Sequence, residues 1–289
     1  MILLRQQETR SFRLLVLLLV LCVLAFAVLF AVSALSGKKQ TPVISERCVA
    51  AVGGAEYSLT LEQATNASII SGVGVARGLP PRAVSIALAT ALQESGLRNV
   101  NYGDDAGPDS RGLFQQRPSQ GWGSEEQVMD PVYAANAFYN GLEQVPGYLD
   151  LPITVAAQAV QRSAFPDAYA KHEGPARAFA SALTGQTPAA LSCTLRAPVT
   201  ASDPAAGASA VEAIYGPLGG TVLGPLYLAD VSGTYGWSVA SWFVANAKAL
   251  GIESVAYEGR TWHVGTAVWE ESPAAAGQVA VTVFSPPEE

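Results

Sequence analysis

The sequence predicts an α+β protein in three parts: an N-terminal transmembrane helix, a mostly α-helical domain with a short β and loop region, and a small α+β domain. Three observations carry this. A run of 24 uncharged, mostly apolar residues extends from Leu14 to Gly37. Between residues 60 and 183 apolar side chains recur at helical spacing behind capping and proline signals. Beyond residue 211 one amphipathic stretch precedes segments that alternate with period two. With 49% hydrophobic and 14% charged residues in 289, general disorder is excluded.

At about 1.5 Å per residue, the Leu14–Gly37 run exceeds a hydrocarbon core of roughly 30 Å. It is longer than an ordinary signal-peptide core, so the sequence predicts an uncleaved signal anchor at 14–37; cleavage after Val32-Ser33-Ala34 is the alternative. Arg5, Arg10 and Arg13 before the run outweigh Lys38 and Lys39 after it, which places residues 1–13 in the cytoplasm and the bulk of the chain outside. A polar stalk at 38–47 follows.

Thr60 caps a helix expected over Leu61 to Arg77, which Gly78 and Pro80 end, and Pro81 opens a second helix to about Gln93. That second helix is apolar nearly all round and is therefore expected to be buried. Residues 96–124 hold six glycines and two prolines among polar spacers, which predicts loops and short hairpins. Helix resumes at Pro131, and again over Pro152 to Val160 and Pro175 to Leu183. The Ala-, Pro- and Thr-rich stretch 194–210 reads as a linker between a domain at 48–193 and a smaller one at 211–289. In the latter, WSVASWFVANAKALG is an amphipathic helix ending at Gly251, and ESVAYE and QVAVTVF alternate as strands do.

Cys48 and Cys193 bracket the larger domain, and in an oxidising compartment they are expected to form a disulfide worth about 5 kcal/mol of loop-closure entropy; two unrelated buried thiols are the alternative. Cys22 lies inside the apolar run. Residues 1–47 carry net charge +4, residues 48–199 −4 and residues 200–289 −7, so no basic patch offers a nucleic-acid partner. Neither His172 and His263 nor the cysteines have metal-ligand spacing, and no metal or cofactor is expected.

The informative constellation is Glu94-Ser95-Gly96 at the end of an apolar helix, followed 18 residues later by Gly112-Leu113-Phe114-Gln115-Gln116. An apolar setting raises a carboxyl pKa by penalising its charged form, which is what an acid working near neutral pH needs. QESGL with GLFQQ resembles the paired motifs of the lytic transglycosylase and goose-type lysozyme superfamily, over roughly residues 50–190, with Phe114 in place of the family's methionine.

The resemblance implies a lysozyme-like fold for 48–193 and cleavage of the β-1,4 bond between N-acetylmuramic acid and N-acetylglucosamine in peptidoglycan. It makes Glu94 the general acid and then base, has Ser95 orient it, and puts Gly112, Gln115 and Gln116 on the sugar-binding wall. Where the family has Ala-Tyr-Asn on a later helix, the segment AAQAVQRSAF offers Gln158 or Gln161. Tyr102, Trp122 and Tyr139 are candidates for stacking on sugar rings, or else part of a small core. Asp104 and Asp109 are candidates for a second carboxylate, with turn chemistry the plainer reading of them and of Asp105. Arg98, Arg111 and Arg117 either meet acidic stem peptides or form salt bridges with neighbouring carboxylates. Closure of a 1,6-anhydro ring makes a transglycosylase and entry of water a muramidase. The alternative from another class is a non-catalytic glycan-binding envelope scaffold that recruits a protein partner through residues 211–289.

Overall fold

The computed structural model describes residues 18–30, 45–105, 107–163 and 167–286, in two compact units divided between Val43 and Ile44. In the first unit residues 18–30 form helix α1, whose apolar side chains are exposed. The rest of the expected span, 14–17 and 31–37, lies outside the described residues, as do 1–13 and most of the stalk. Among the described residues no helix is long and apolar enough to cross a membrane.

The second unit is mixed α and β. Its chain enters as a hairpin, β1 (Arg47–Val52) and β2 (Ala55–Leu59), and β3 (Leu191–Thr194) pairs antiparallel on the other side of β1. Arg47, expected as the end of the stalk, is already paired in this sheet. The register sets Cys48 opposite Cys193, and the two form a disulfide with Cα atoms 3.9 Å apart. The expected pairing is present.

Helix α2 (Leu61–Ala76) starts where a capping box fixes it: Thr60 Oγ1 accepts from the Gln63 N–H at 3.3 Å and Gln63 Oε1 from the Thr60 N–H at 2.9 Å. Pro81 opens α3 (Pro81–Glu94), of which Ala83 through Ala91 are all buried. A short α4 (Glu125–Met129) leads into α5 (Pro131–Glu143), capped by Asp130, whose Oδ1 accepts from the Tyr133 N–H at 2.7 Å. Helices α6 (Ile153–Gln161) and α7 (Glu173–Leu183) complete this half, and α7 lies along α3.

The expected linker at 194–210 includes the start of a helix, α8 (Pro204–Tyr215), with Asp203 as its cap and Pro204 at the first position. Helix α9 (Gly233–Ala245), the short α10 (Ala247–Leu250), and strands β4 (Thr221–Leu223), β5 (Leu226–Asp230), β6 (Ile252–Tyr257), β7 (Arg260–His263), β8 (Trp269–Glu271) and β9 (Gln278–Val283) follow. The strands make one antiparallel sheet in the order β4-β5-β9-β6-β7-β8. Across its middle, Tyr227, Val281, Val255 and Trp262 stand opposite one another in four adjacent strands and are all buried.

Helix α9 lies between this sheet and helices α2 and α7. Two glycines let α2 be approached closely from both sides. A Cβ on Gly72 would lie 2.7 Å from the Ile214 side chain of α8, and one on Gly74 would lie 2.7 Å from Val84 of α3. Polar groups are matched across the same boundary: Asn246 donates to Ser68 Oγ at 2.9 Å, Ser238 to the Leu183 carbonyl at 2.6 Å and Trp269 to the Leu191 carbonyl at 2.7 Å. Buried side chains from both halves form one continuous core, so residues on either side of 194–210 belong to one compact unit.

Candidate functional site

The site begins where α3 stops. Ser95 leaves helical geometry, and Gly96 and Leu97 both take left-handed backbone conformations, so the chain turns away directly after Glu94. Ser95 Oγ donates to the Leu113 carbonyl at 2.8 Å and accepts from the Arg98 N–H at 3.2 Å. Ser95 thus ties the helix end to the glycine-containing loop. Among the described residues it makes no bond to the Glu94 carboxylate, so it sets the position of the backbone rather than orienting that group.

The loop itself is fixed by packing. Gly112 has φ +75°, and a Cβ there would stand 2.2 Å from the Val128 carbonyl oxygen, so glycine is required on two counts. Leu113 and Phe114 are fully buried, and Phe114 stacks on Phe138 with ring centroids 4.7 Å apart, which is how phenylalanine fits at that position. Gln115 follows in a left-handed conformation and Gln116 is buried, its Nε2 donating to the Ala134 carbonyl at 3.1 Å. Gln116 Oε1 has no partner among the described residues.

Glu94, Gln115 and Gln116 line a cleft of about 430 Å³ together with Asp104, Trp122 and Gln161. Burial pushes the Glu94 carboxyl above its ordinary value; hydrogen bonds from Tyr169 and Gln161 pull the other way, and the Asp104 charge adds to the rise. The Tyr169 hydroxyl lies 2.6 Å from Glu94 Oε1. Tyr169 is itself fully buried, which holds its own pKa well above the usual tyrosine value and keeps its proton in place. Glu94 therefore has a low-dielectric wall on one side, a fixed O–H donor on it, and an open cleft beyond. That is the arrangement of a carboxylic acid able to give up a proton and take it back.

The other expected site residues divide. Trp122, Gln161 and Asp104 stand in the cleft. Tyr139 is fully buried with its hydroxyl donating to the Ile70 carbonyl at 2.9 Å, so it belongs to the core and meets no sugar. Tyr102 is 67% exposed and lies outside the cleft lining. Gly112 sits behind the wall, beneath Gln115. Gln158 is turned inward, donating to the Ser163 carbonyl at 2.7 Å, and shapes the segment after α6 without lining the cleft. Hydrogen bonds from Ser119, whose N–H lies 3.0 Å away, and then from Arg117 at 2.8 Å hold the Asp109 pKa low and make it a loop brace in place of a second carboxylate.

Arg111 pairs with Glu125 at 3.1 Å and Arg98 with Glu62 at 3.7 Å, the salt-bridge reading of both. Tyr169 was not among the expected site residues. It lies just after the segment AAQAVQRSAF, ahead of α7, where the expected candidates were Gln158 and Gln161. No family model matches the chain, and no curated protein matches it.

Proposed function

We propose that this protein cleaves the β-1,4 bond between N-acetylmuramic acid and N-acetylglucosamine in peptidoglycan, with Glu94 as general acid and then general base. The observation that carries this reading is the Glu94 carboxyl, raised in pKa by burial, hydrogen-bonded by Tyr169 and open to a cleft of about 430 Å³. The proton on Glu94 passes to the glycosidic oxygen as the bond to C1 breaks. The substrate's own acetamido oxygen closes on C1 and carries the developing positive charge, so one protein carboxylate suffices. The Glu94 carboxylate then takes the proton of the 6-hydroxyl as that oxygen bonds to C1 and the C1 bond to the acetamido oxygen breaks, which restores the acetamide, closes a 1,6-anhydro ring and returns Glu94 to its acid form. Water in place of the 6-hydroxyl gives the muramidase product.

Trp122 offers a face on which a ring can stack, and Gln115, Gln116 and Gln161 supply amides for its polar edge. The uncharged run from Leu14 to Gly37 and the Cys48–Cys193 disulfide support a chain anchored by one span with its bulk outside the membrane.

The test is incubation of the full chain with purified peptidoglycan and identification of released muropeptides by mass, where a deficit of one water marks the anhydro product. Glu94→Gln keeps the shape and removes the proton donor, so release falls by about 100- to 10,000-fold while strand binding persists. Equal release by both proteins overturns the assignment. Binding without release by the wild type leaves the glycan-binding scaffold.

A further inference from the structure

Beyond Trp122 the cleft continues into a second hollow of about 740 Å³, between the end of α5 and the end of α6. The two share Gln120, Trp122, Gln161 and Arg162, so Trp122 stands at their junction. Their linings differ in chemistry. The first holds the Glu94 and Asp104 carboxyls as well as Arg117 and the shared Arg162, whereas Arg162 is the one charged side chain among the described residues lining the second, which has no carboxylate. The rest of the second lining is amides, small apolar groups and the Trp122 ring, and the Gln120 and Gln144 side-chain amides have no hydrogen-bond partner among the described residues.

Arg162 is distinct among the cations of this region. Arg98, Arg111 and Arg117 are each held by a carboxylate of the chain. The Arg162 guanidinium has neither ion pair nor hydrogen bond among the described residues and is exposed. Its backbone is left-handed, φ 52°, a conformation that disfavours a residue bearing a Cβ. The turn is pinned on both sides: the Arg162 N–H donates to the Gln158 carbonyl at 2.8 Å, and the Gln158 amide reaches on to Ser163. The backbone turn thus places an exposed guanidinium, with its N–H donors unused by the described residues, at the mouth of an amide-lined groove.

We propose that the second hollow takes the stem peptide of the substrate, with Arg162 binding one of its carboxylates and Gln120 and Gln144 its backbone amides. Resting on the peptidoglycan reading above, this assigns the first cleft to sugar and the second to peptide. A guanidinium matches a carboxylate with two parallel hydrogen bonds, and free amides match a peptide chain that has both donors and acceptors.

The experiment is calorimetric titration of the full chain with a synthetic stem tetrapeptide bearing free carboxylates, and with the same peptide fully amidated. No cleavage is needed, so the result is separable from whether Glu94 acts as a catalyst. The wild type is expected to bind the carboxylate form about tenfold more tightly. Arg162→Gln is expected to bind the two forms alike. Equal binding of both peptides by the wild type overturns the proposal with no variant required, and a preference that survives Arg162→Gln overturns the role of Arg162. Peptide-free glycan strands, which expose the lactyl carboxylate of the sugar, are the third arm. If Arg162→Gln weakens those strands and leaves peptide binding unchanged, the carboxylate is the sugar's own and the stem assignment falls.

Discussion

A carboxyl group that must give a proton and then recover it needs two influences of opposite sign, and Glu94 has both. Burial favours its neutral form; the Tyr169 hydroxyl favours its charged form. Because the acid is the protonated carboxyl, turnover is expected to fall on the alkaline side as the pH passes the raised Glu94 pKa. Tyr169→Phe removes the larger of the two hydrogen bonds that steady the carboxylate, so this alkaline limb is expected to move to higher pH, read from a pH–rate profile of muropeptide release. A limb in the same place makes Tyr169 a packing residue only. Stability carries the same sign. With a folded pKa above the ordinary 4.5, the native protein binds more protons than the unfolded chain between the two values, and stability falls as pH rises through that window. Glu94→Gln is therefore expected to raise Tm at neutral pH, with the gain closing as the pH drops below 4.5. Glu94 was legible because an apolar helix ended in Glu-Ser-Gly with GLFQQ to follow. Tyr169 was not, because its bond to Glu94 joins residues 75 apart in sequence that only folding brings together; Arg162 was not, because only the fold places it beside the cleft.

Elements were legible wherever a local signal and an apolar face agreed. Thr60, Pro81 and Pro131 each placed a helix start that the structure keeps. Helix α8 has the same signal in Asp203-Pro204, but its Ala- and Gly-rich turns offered little apolar patterning, and its buried face became clear only against α2 and the sheet. The short strands β1, β2 and β3 lacked a signal of comparable strength, because their alternation is brief and their pairing joins residues 47–52 to 191–194. The loop carrying Gln115 and Gln116 depends on one backbone position. Gly112→Ala forces a left-handed alanine and a contact with Val128 together, at a cost of about 2 kcal/mol or more. Chemical denaturation is expected to show that loss along with a fall in glycan binding. An unchanged midpoint would mean that the loop rebuilds without its glycine.

At the scale of the molecule, α2 is a wall shared by both halves of residues 44–289, with α3 and α5 on one side and α8 and α9 on the other. Calorimetry of the full chain is accordingly expected to show one cooperative transition for this unit, and a chain ending at residue 199 to lose its fold, since Ser68, Gly72 and Leu183 would lose the groups they pack against. Two separate transitions would support the division at 194–210. The disulfide has a consequence in time. Cys48 leaves the ribosome 145 residues before Cys193, which at about 5 to 20 residues per second is roughly 7 to 30 seconds. Through that interval its strand has only the hairpin partner β2, and the thiol is open to any oxidant or passing cysteine. In a chain carrying Cys22→Ser, a maleimide is expected to label nascent chains halted before residue 193 and to leave the finished, unreduced protein untouched. The order in which two cysteines are made thus opens a period of chemical vulnerability that ends only when β3 arrives beside β1.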